Sequence, residues 1–128
     1  MNKLVADTNA VIEFTRGGNA PQQLRGNDEV ILPLPVVGEL YSGAHMSQRV
    51  QHNLSVVEDL LLVWQVLLPD METARVYGRL RAALRQPAIR HSTLNDLWIA
   101  ALCLQHALPL LTNDRGFDAI DGLTVLHW

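Results

Sequence analysis

Short apolar runs alternate with longer helical patterns along this chain of 128 residues, and that alternation restricts the fold more than any other feature. Lys3–Ala6 predicts a short buried strand and Ala10–Arg16 a helix, stopped by Gly17-Gly18-Asn19. Glu29–Leu34 predicts a second strand, and Pro35 suits the first turn of a helix reaching His45. A further helix is expected over Gln48–Leu62 and a strand over Val63–Leu68. After Pro69-Asp70, a helix is expected over Met71–Arg85. Thr93 is a suitable N-cap for a helix from Leu94 to about His106. Leu110–Thr112 and Leu123–Trp128 read as the last strands. Such alternation predicts one α/β domain over residues 1–128, with a mostly parallel central sheet covered on both faces. Ligands of such sheets bind beyond the C-terminal ends of the strands.

Four acids interrupt this apolar pattern. Asp7 closes the run Leu4-Val5-Ala6, and Asp114 follows the strand pattern Leu110-Leu111-Thr112. Glu39 lies in a helical pattern and shares a face with Gly43 and Met46, which predicts close packing. Asp96 opens a stripe of small residues, Ala100, Cys103 and Ala107, at helical spacing. Each acid has an ordinary reading as well. Asp7 suits a helix N-cap, Glu39 a solvated helix face, Asp96 a dipole-favoured first turn, and Asp114 a turn. Asp118 reads as a surface acid. Carboxylates converging within about 4 Å would repel by about 4 kcal/mol per pair at an effective dielectric of 20. A shared cation or a proton would relieve such a cluster. Oxygen-only ligands point to Mg²⁺ or Mn²⁺. The histidines lack HExxH spacing and there is no cysteine cluster, which argues against zinc.

The net charge of −3 gives no bulk attraction for nucleic acid, but half of the ten cations fall between Arg75 and Arg90. Arg75, Arg79, Arg81 and Arg85 lie on the polar side of the expected helix, either as a solvated face or as a grip on RNA phosphates. The single cysteine, Cys103, excludes an internal disulfide and reads as a packing residue. Trp64 and Trp98 read as core, and so does Leu60-Leu61-Leu62-Val63-Trp64, with a dimer interface as the lesser reading. No apolar run approaches the roughly 20 residues of a spanning helix, and Asp7 falls where a signal peptide needs its apolar segment. A soluble cytoplasmic protein is expected.

Taken together, the segments Leu4-Val5-Ala6-Asp7-Thr8-Asn9, Val37-Gly38-Glu39-Leu40-Tyr41-Ser42-Gly43-Ala44, Asn95-Asp96-Leu97-Trp98-Ile99-Ala100-Ala101 and Leu111-Thr112-Asn113-Asp114 resemble the PIN-domain family, most closely its VapC branch of toxin ribonucleases. The ending Gly122–Trp128 is similar as well. The resemblance implies a three-layer α/β/α fold, Mg²⁺-dependent endoribonuclease activity, a homodimer and a VapB-type antitoxin as partner. It assigns Asp7, Glu39, Asp96 and Asp114 to the active site, with Asp7, Asp96 and Asp114 toward the metal. Asn9 and Thr112 match supporting polar positions. One departure is the loop Gln86–Leu94, where the family usually carries a glycine. Three alternatives stay open at this point. A non-toxin RNA-processing nuclease would keep the same site. A non-catalytic binding module would use the acids to receive a partner's arginine. An Asp-based phosphoryl-transfer domain would want an acid at position 9, which is Asn9, and a late lysine, whereas the only lysine is Lys3.

Overall fold

The computed structural model describes residues 2–17, 21–24, 26, 28–84 and 94–128. Among them a five-stranded sheet runs in the order β3-β2-β1-β4-β5, and every neighbouring pair is parallel. The strands are β1 (Lys3–Ala6), β2 (Glu29–Pro33), β3 (Gln65–Leu67), β4 (Leu110–Leu111) and β5 (Val125–Leu126). The helices are α1 (Thr8–Arg16), α2 (Leu34–His45), α3 (Val50–Val63), α4 (Met71–Ala83) and α5 (Leu94–His106). A short 3₁₀ helix covers Arg115–Ala119.

Burial explains this order. Leu4, Val5 and Ala6 of β1 and Leu110 and Leu111 of β4 are buried, and so are Val30, Ile31 and Leu32 of β2. A parallel strand covered on both faces needs such continuous apolar sequence. The outer strands β3 and β5 carry only partly buried or exposed residues. From β1 the chain crosses to β2, and from β4 it crosses the other way to β5. The point where strand order reverses therefore lies between β1 and β4. At that seam two connections leave the sheet in opposite directions and open a crevice.

Most element boundaries agree with the sequence reading, and the differences have local causes. Helix α1 begins at Thr8, not Ala10, because Asp7 is extended and its carboxylate accepts from the Thr8 N–H. Gly17 ends the helix at φ 71°, in the left-handed region that favours glycine. Pro33 ends β2, and Pro35 sits in the first turn of α2, where its missing N–H costs nothing. Asp70 and Thr73 form a reciprocal capping box at the start of α4, and Gln105 of α5 bonds both side chains. The expected strand over Val63–Leu68 contracts to Gln65–Leu67, since Val63 completes α3.

Several packing expectations change. Leu62 and Val63 are 85% and 78% exposed, so that part of the apolar run is not core. Trp64 is half-buried against Phe14, with ring centroids 5.1 Å apart. Trp98 is likewise half-buried and stacks on Tyr77 at 4.1 Å. Cys103 is buried, and burial, with Asp7's charge second, pushes its thiol far above the ordinary range. It is a packing residue with no thiolate to offer. Arg85, Arg90 and Thr93 lie outside the described residues, as does the loop from Gln86 onward up to Leu94.

Candidate active site

Two strand ends place the first acid. Asp7 follows β1 and is only 5% exposed. Its Oδ1 accepts from the Thr8 N–H at 2.8 Å, and its Oδ2 accepts from the Thr112 hydroxyl at 2.8 Å and from Asn9 Nδ2 at 3.2 Å. Thr112 leaves the neighbouring strand β4, so parallel pairing of β1 with β4 sets this contact. Burial pushes the Asp7 carboxyl up from 3.8 to about 6, despite those hydrogen bonds. The charges of Asp96 and Glu39 push in the same direction. Two of the other three acids thus act on Asp7 through space.

Glu39 is carried by α2. Its Oε2 accepts from the Thr8 hydroxyl at 2.9 Å and its Oε1 from Asn95 Nδ2 at 3.3 Å. These two donors hold the carboxylate between the start of α1 and the first turn of α5. The packing expected around Glu39 is not found. Gly43 and Met46 are exposed, and a Cβ at Gly43 would meet nothing within 4 Å. Their face lines open grooves, one of about 390 Å³ bounded by Ile12, Arg16, His52 and Asn53 and another reaching Asn95. An acid beside open space needs no buried partner, which accounts for the irregular helix pattern.

Asp96 stands in the first turn of α5, half-exposed, above the buried Ala100 and Cys103. The stripe ends there: Ala107 has left the helix with φ 54° and is exposed. Asp114 is held differently. It is exposed, and its Oδ1 caps the 3₁₀ helix through the Gly116 N–H at 2.8 Å. Its own N–H donates to Thr112 Oγ1 at 3.0 Å. The N-cap expected of Asp7 and the turn expected of Asp114 are both found, Asp114 also capping the 3₁₀ helix.

Asn9 and Thr112 connect these parts. Asn9 Nδ2 also reaches Thr112 Oγ1 at 3.3 Å, and Asn9 Oδ1 accepts from the Asn113 N–H at 3.2 Å. Sequence reasoning missed Thr8 and Asn95, the donors to Glu39. Each adjoins a predicted acid, but nothing in the chain signals that Glu39 comes to them from α2. The arginines of α4 look inward to their own helix. Arg75 and Arg79 both pair with Glu72, at 3.2 and 3.8 Å, and Arg81 donates to the Tyr77 hydroxyl at 3.3 Å.

The donors around the crevice are oxygens, as a hard divalent cation requires. Among the described residues no three acid, histidine or cysteine side chains form a ready-made cage. Buried Asp7, loaded by two like charges, fits such a cation.

Residues 4–123 match the family model of the PIN domain. A tRNA(fMet)-specific endonuclease VapC of Shigella flexneri is 30% identical over 132 aligned positions, covering 100% of this chain and 99% of that protein. Ribonuclease VapC2 of Haemophilus influenzae is 29% identical, with the same shares covered. DNA-bound VapBC from Salmonella typhimurium superposes with a TM-score of 0.84 at 30% identity, covering 100% of this chain and 99% of that one. VapBC2 from Rickettsia felis shares the fold, with a TM-score of 0.85 at 24% identity over 98% of both chains. With its all-parallel sheet, the crevice between β1 and β4 and a family match over nearly its whole length, the chain belongs to the PIN-domain family.

Proposed function

We propose that this protein is a divalent-metal-dependent endoribonuclease, the toxin of a VapBC-type toxin–antitoxin pair. The observation that carries the proposal is the buried Asp7 carboxylate, raised to about 6 and facing Asp96 and Glu39. Such an accumulation of charge costs stability in the free protein and gains its use when a cation binds. Its relatives' names support RNA as the substrate, and the VapBC complexes among its structural neighbours support a VapB-type antitoxin.

Asp7 and Asp96 would hold a Mg²⁺ or Mn²⁺ ion, with Asp114 as a further ligand. When bound, such an ion would neutralise the carboxylates, grip a phosphate oxygen and acidify water. Thr112 and Asn9 fix Asp7 so that its carboxylate does not turn away. Glu39, held by Thr8 and Asn95, or else Asp114 would take the proton of the attacking water. Attack by that water's oxygen on phosphorus breaks the bond to the 3′-oxygen, which leaves as a 3′-hydroxyl after protonation and leaves a 5′-phosphate. The cytoplasm, where RNA and antitoxin meet, is the expected place of action. Among the described residues no helix is long and apolar enough to cross a membrane.

The test is one comparison. Purified protein is incubated with total RNA in Mg²⁺, beside EDTA and an Asp7→Asn variant, and the new ends are analysed. Cleavage confined to the first sample, with 5′-phosphate ends, is expected. Cleavage by the variant would refute the site, and a 2′,3′-cyclic phosphate product would refute the mechanism.

A further inference from the structure

We propose that His127 is a positioning residue for the cleavage reaction: its imidazole straps the turn that carries Asp114 and thereby aims the Thr112 hydroxyl at Asp7. The inference rests on the nuclease reading above. Nδ1 of His127 lies 2.7 Å from the Thr112 carbonyl oxygen, and Nε2 lies 2.9 Å from Asp118 Oδ1. Thr112 and Asp118 flank Asp114 in the chain, so the ring spans the turn from one side to the other. Both partners accept hydrogen bonds, and the ring satisfies both together when each nitrogen carries a proton. The side chain is 19% exposed, and its lower neighbour Asp118 also faces Arg115 at 3.8 Å.

The turn itself is tight. A Cβ at Gly116 would come within 3.1 Å of Asp114 Oδ1. Thr112 is fully buried and every polar group it has is engaged. Its hydroxyl donates to Asp7 and accepts from the Asp114 N–H, its own N–H donates to the Leu126 carbonyl, and its carbonyl accepts from His127. Freeing that carbonyl lets the following peptide rotate and draws the Asp114 N–H off the Thr112 oxygen. The site then loses alignment at two acids through a residue that touches neither. Asp118, a surface acid by sequence, acquires a role as the far anchor of the strap.

The experiment compares wild type with His127→Ala, His127→Asn and Asp118→Ala in the full chain. It reads kcat and KM on an RNA oligonucleotide with Mg²⁺ and, separately, hydrogen exchange at the Asp114 amide. His127→Ala is expected to lower kcat roughly tenfold or more, the usual effect of losing such an orienting partner, with KM within about twofold and faster Asp114 exchange. Asn keeps a donor for the Thr112 carbonyl, so His127→Asn is expected to recover most of kcat. Asp118 is exposed, so Asp118→Ala folds even if His127→Ala does not, and it is expected to accelerate Asp114 exchange and lower kcat in the same direction. Unchanged kcat and exchange in the alanine variants would overturn the proposal, and so would an asparagine variant no better than alanine. A wild type inactive on RNA would instead refute the nuclease reading, and the amide exchange alone would then judge the strap.

Discussion

The Thr112 hydroxyl donates to Asp7 Oδ2 at 2.8 Å, joining the ends of two adjacent parallel strands at the point where the sheet reverses its order. This bond holds down the proton affinity of a carboxylate that burial raises. Replacing Thr112 with valine keeps the shape and removes the donor. The Asp7 carboxyl is then expected to rise further, and the Asp114 N–H loses its acceptor. A loss of about 1–3 kcal/mol in stability is expected from the unpaired groups. Denaturant titration checks the loss, and Thr112→Ser, which restores the hydroxyl, should reverse most of it.

Asp7 makes the metal-free protein sensitive to pH. Burial raises its carboxyl in the folded protein to about 6 from the ordinary 3.8 of a solvated aspartate. Between those values the folded state binds more protons than the unfolded state, so stability falls as pH rises through the window. The penalty above pH 6 is on the order of 3 kcal/mol. Asp7→Asn removes the charge, although the Thr112 hydroxyl and the Asn9 amide, which both donate to Oδ2, then lose that acceptor. The variant is therefore expected to melt higher than wild type at pH 7.5 in EDTA, with the gap closing below pH 4. Thermal melts at both values check this. A variant that melts lower at pH 7.5 would contradict it.

Adding Mg²⁺ should raise the melting temperature of wild type at pH 7.5, and above the Kd the rise should follow the logarithm of ion concentration, because only the folded state would offer the site. The Asp7→Asn and Asp96→Asn variants should show little of this shift. Equal shifts in all three proteins would place the ion elsewhere.

Glu39 accepts from Thr8 and Asn95, and glutamine keeps one of those bonds. Glu39→Gln is expected to change stability by less than about 0.5 kcal/mol, the usual range for a half-exposed substitution. Cleavage should fall by about 10²-fold or more, the lower scale of a lost general base. Steady-state kinetics on RNA, with a melt as control, separates these effects.

Arg75 and Arg79 share Glu72, so part of their charge is already answered on α4. Replacing both with alanine is expected to change the slope of log affinity against log salt by less than about one unit. A decrease of about two units would assign them to RNA phosphates.

Much of the fold was legible because buried parallel strands write continuous apolar runs, as Leu4-Val5-Ala6 and Val30-Ile31-Leu32 do. Helix ends were legible where capping is local, at Gly17 and Asp70. The reading failed where burial depends on distant neighbours. Leu62 and Val63 look like core in sequence but project from the outer end of α3 beside an edge strand. Gly43 suggested close packing, yet it borders an open groove.

The sequence by itself determined which residues are acidic, which segments are strands and helices, and that Asp7 and Asp114 stand at strand ends. Those are properties of near neighbours in the chain, set by periodicity, capping and turn chemistry. Only the tertiary structure decided what the acids do to one another. Pairing β1 with β4 brings Thr112 to Asp7, and α2 and α5 bring Glu39 and Asp96 close enough to push its carboxyl upward. It also decided that Asp118 anchors His127. Burial and Coulomb forces act through space, and the separations in sequence that they bridge here leave no mark in local pattern.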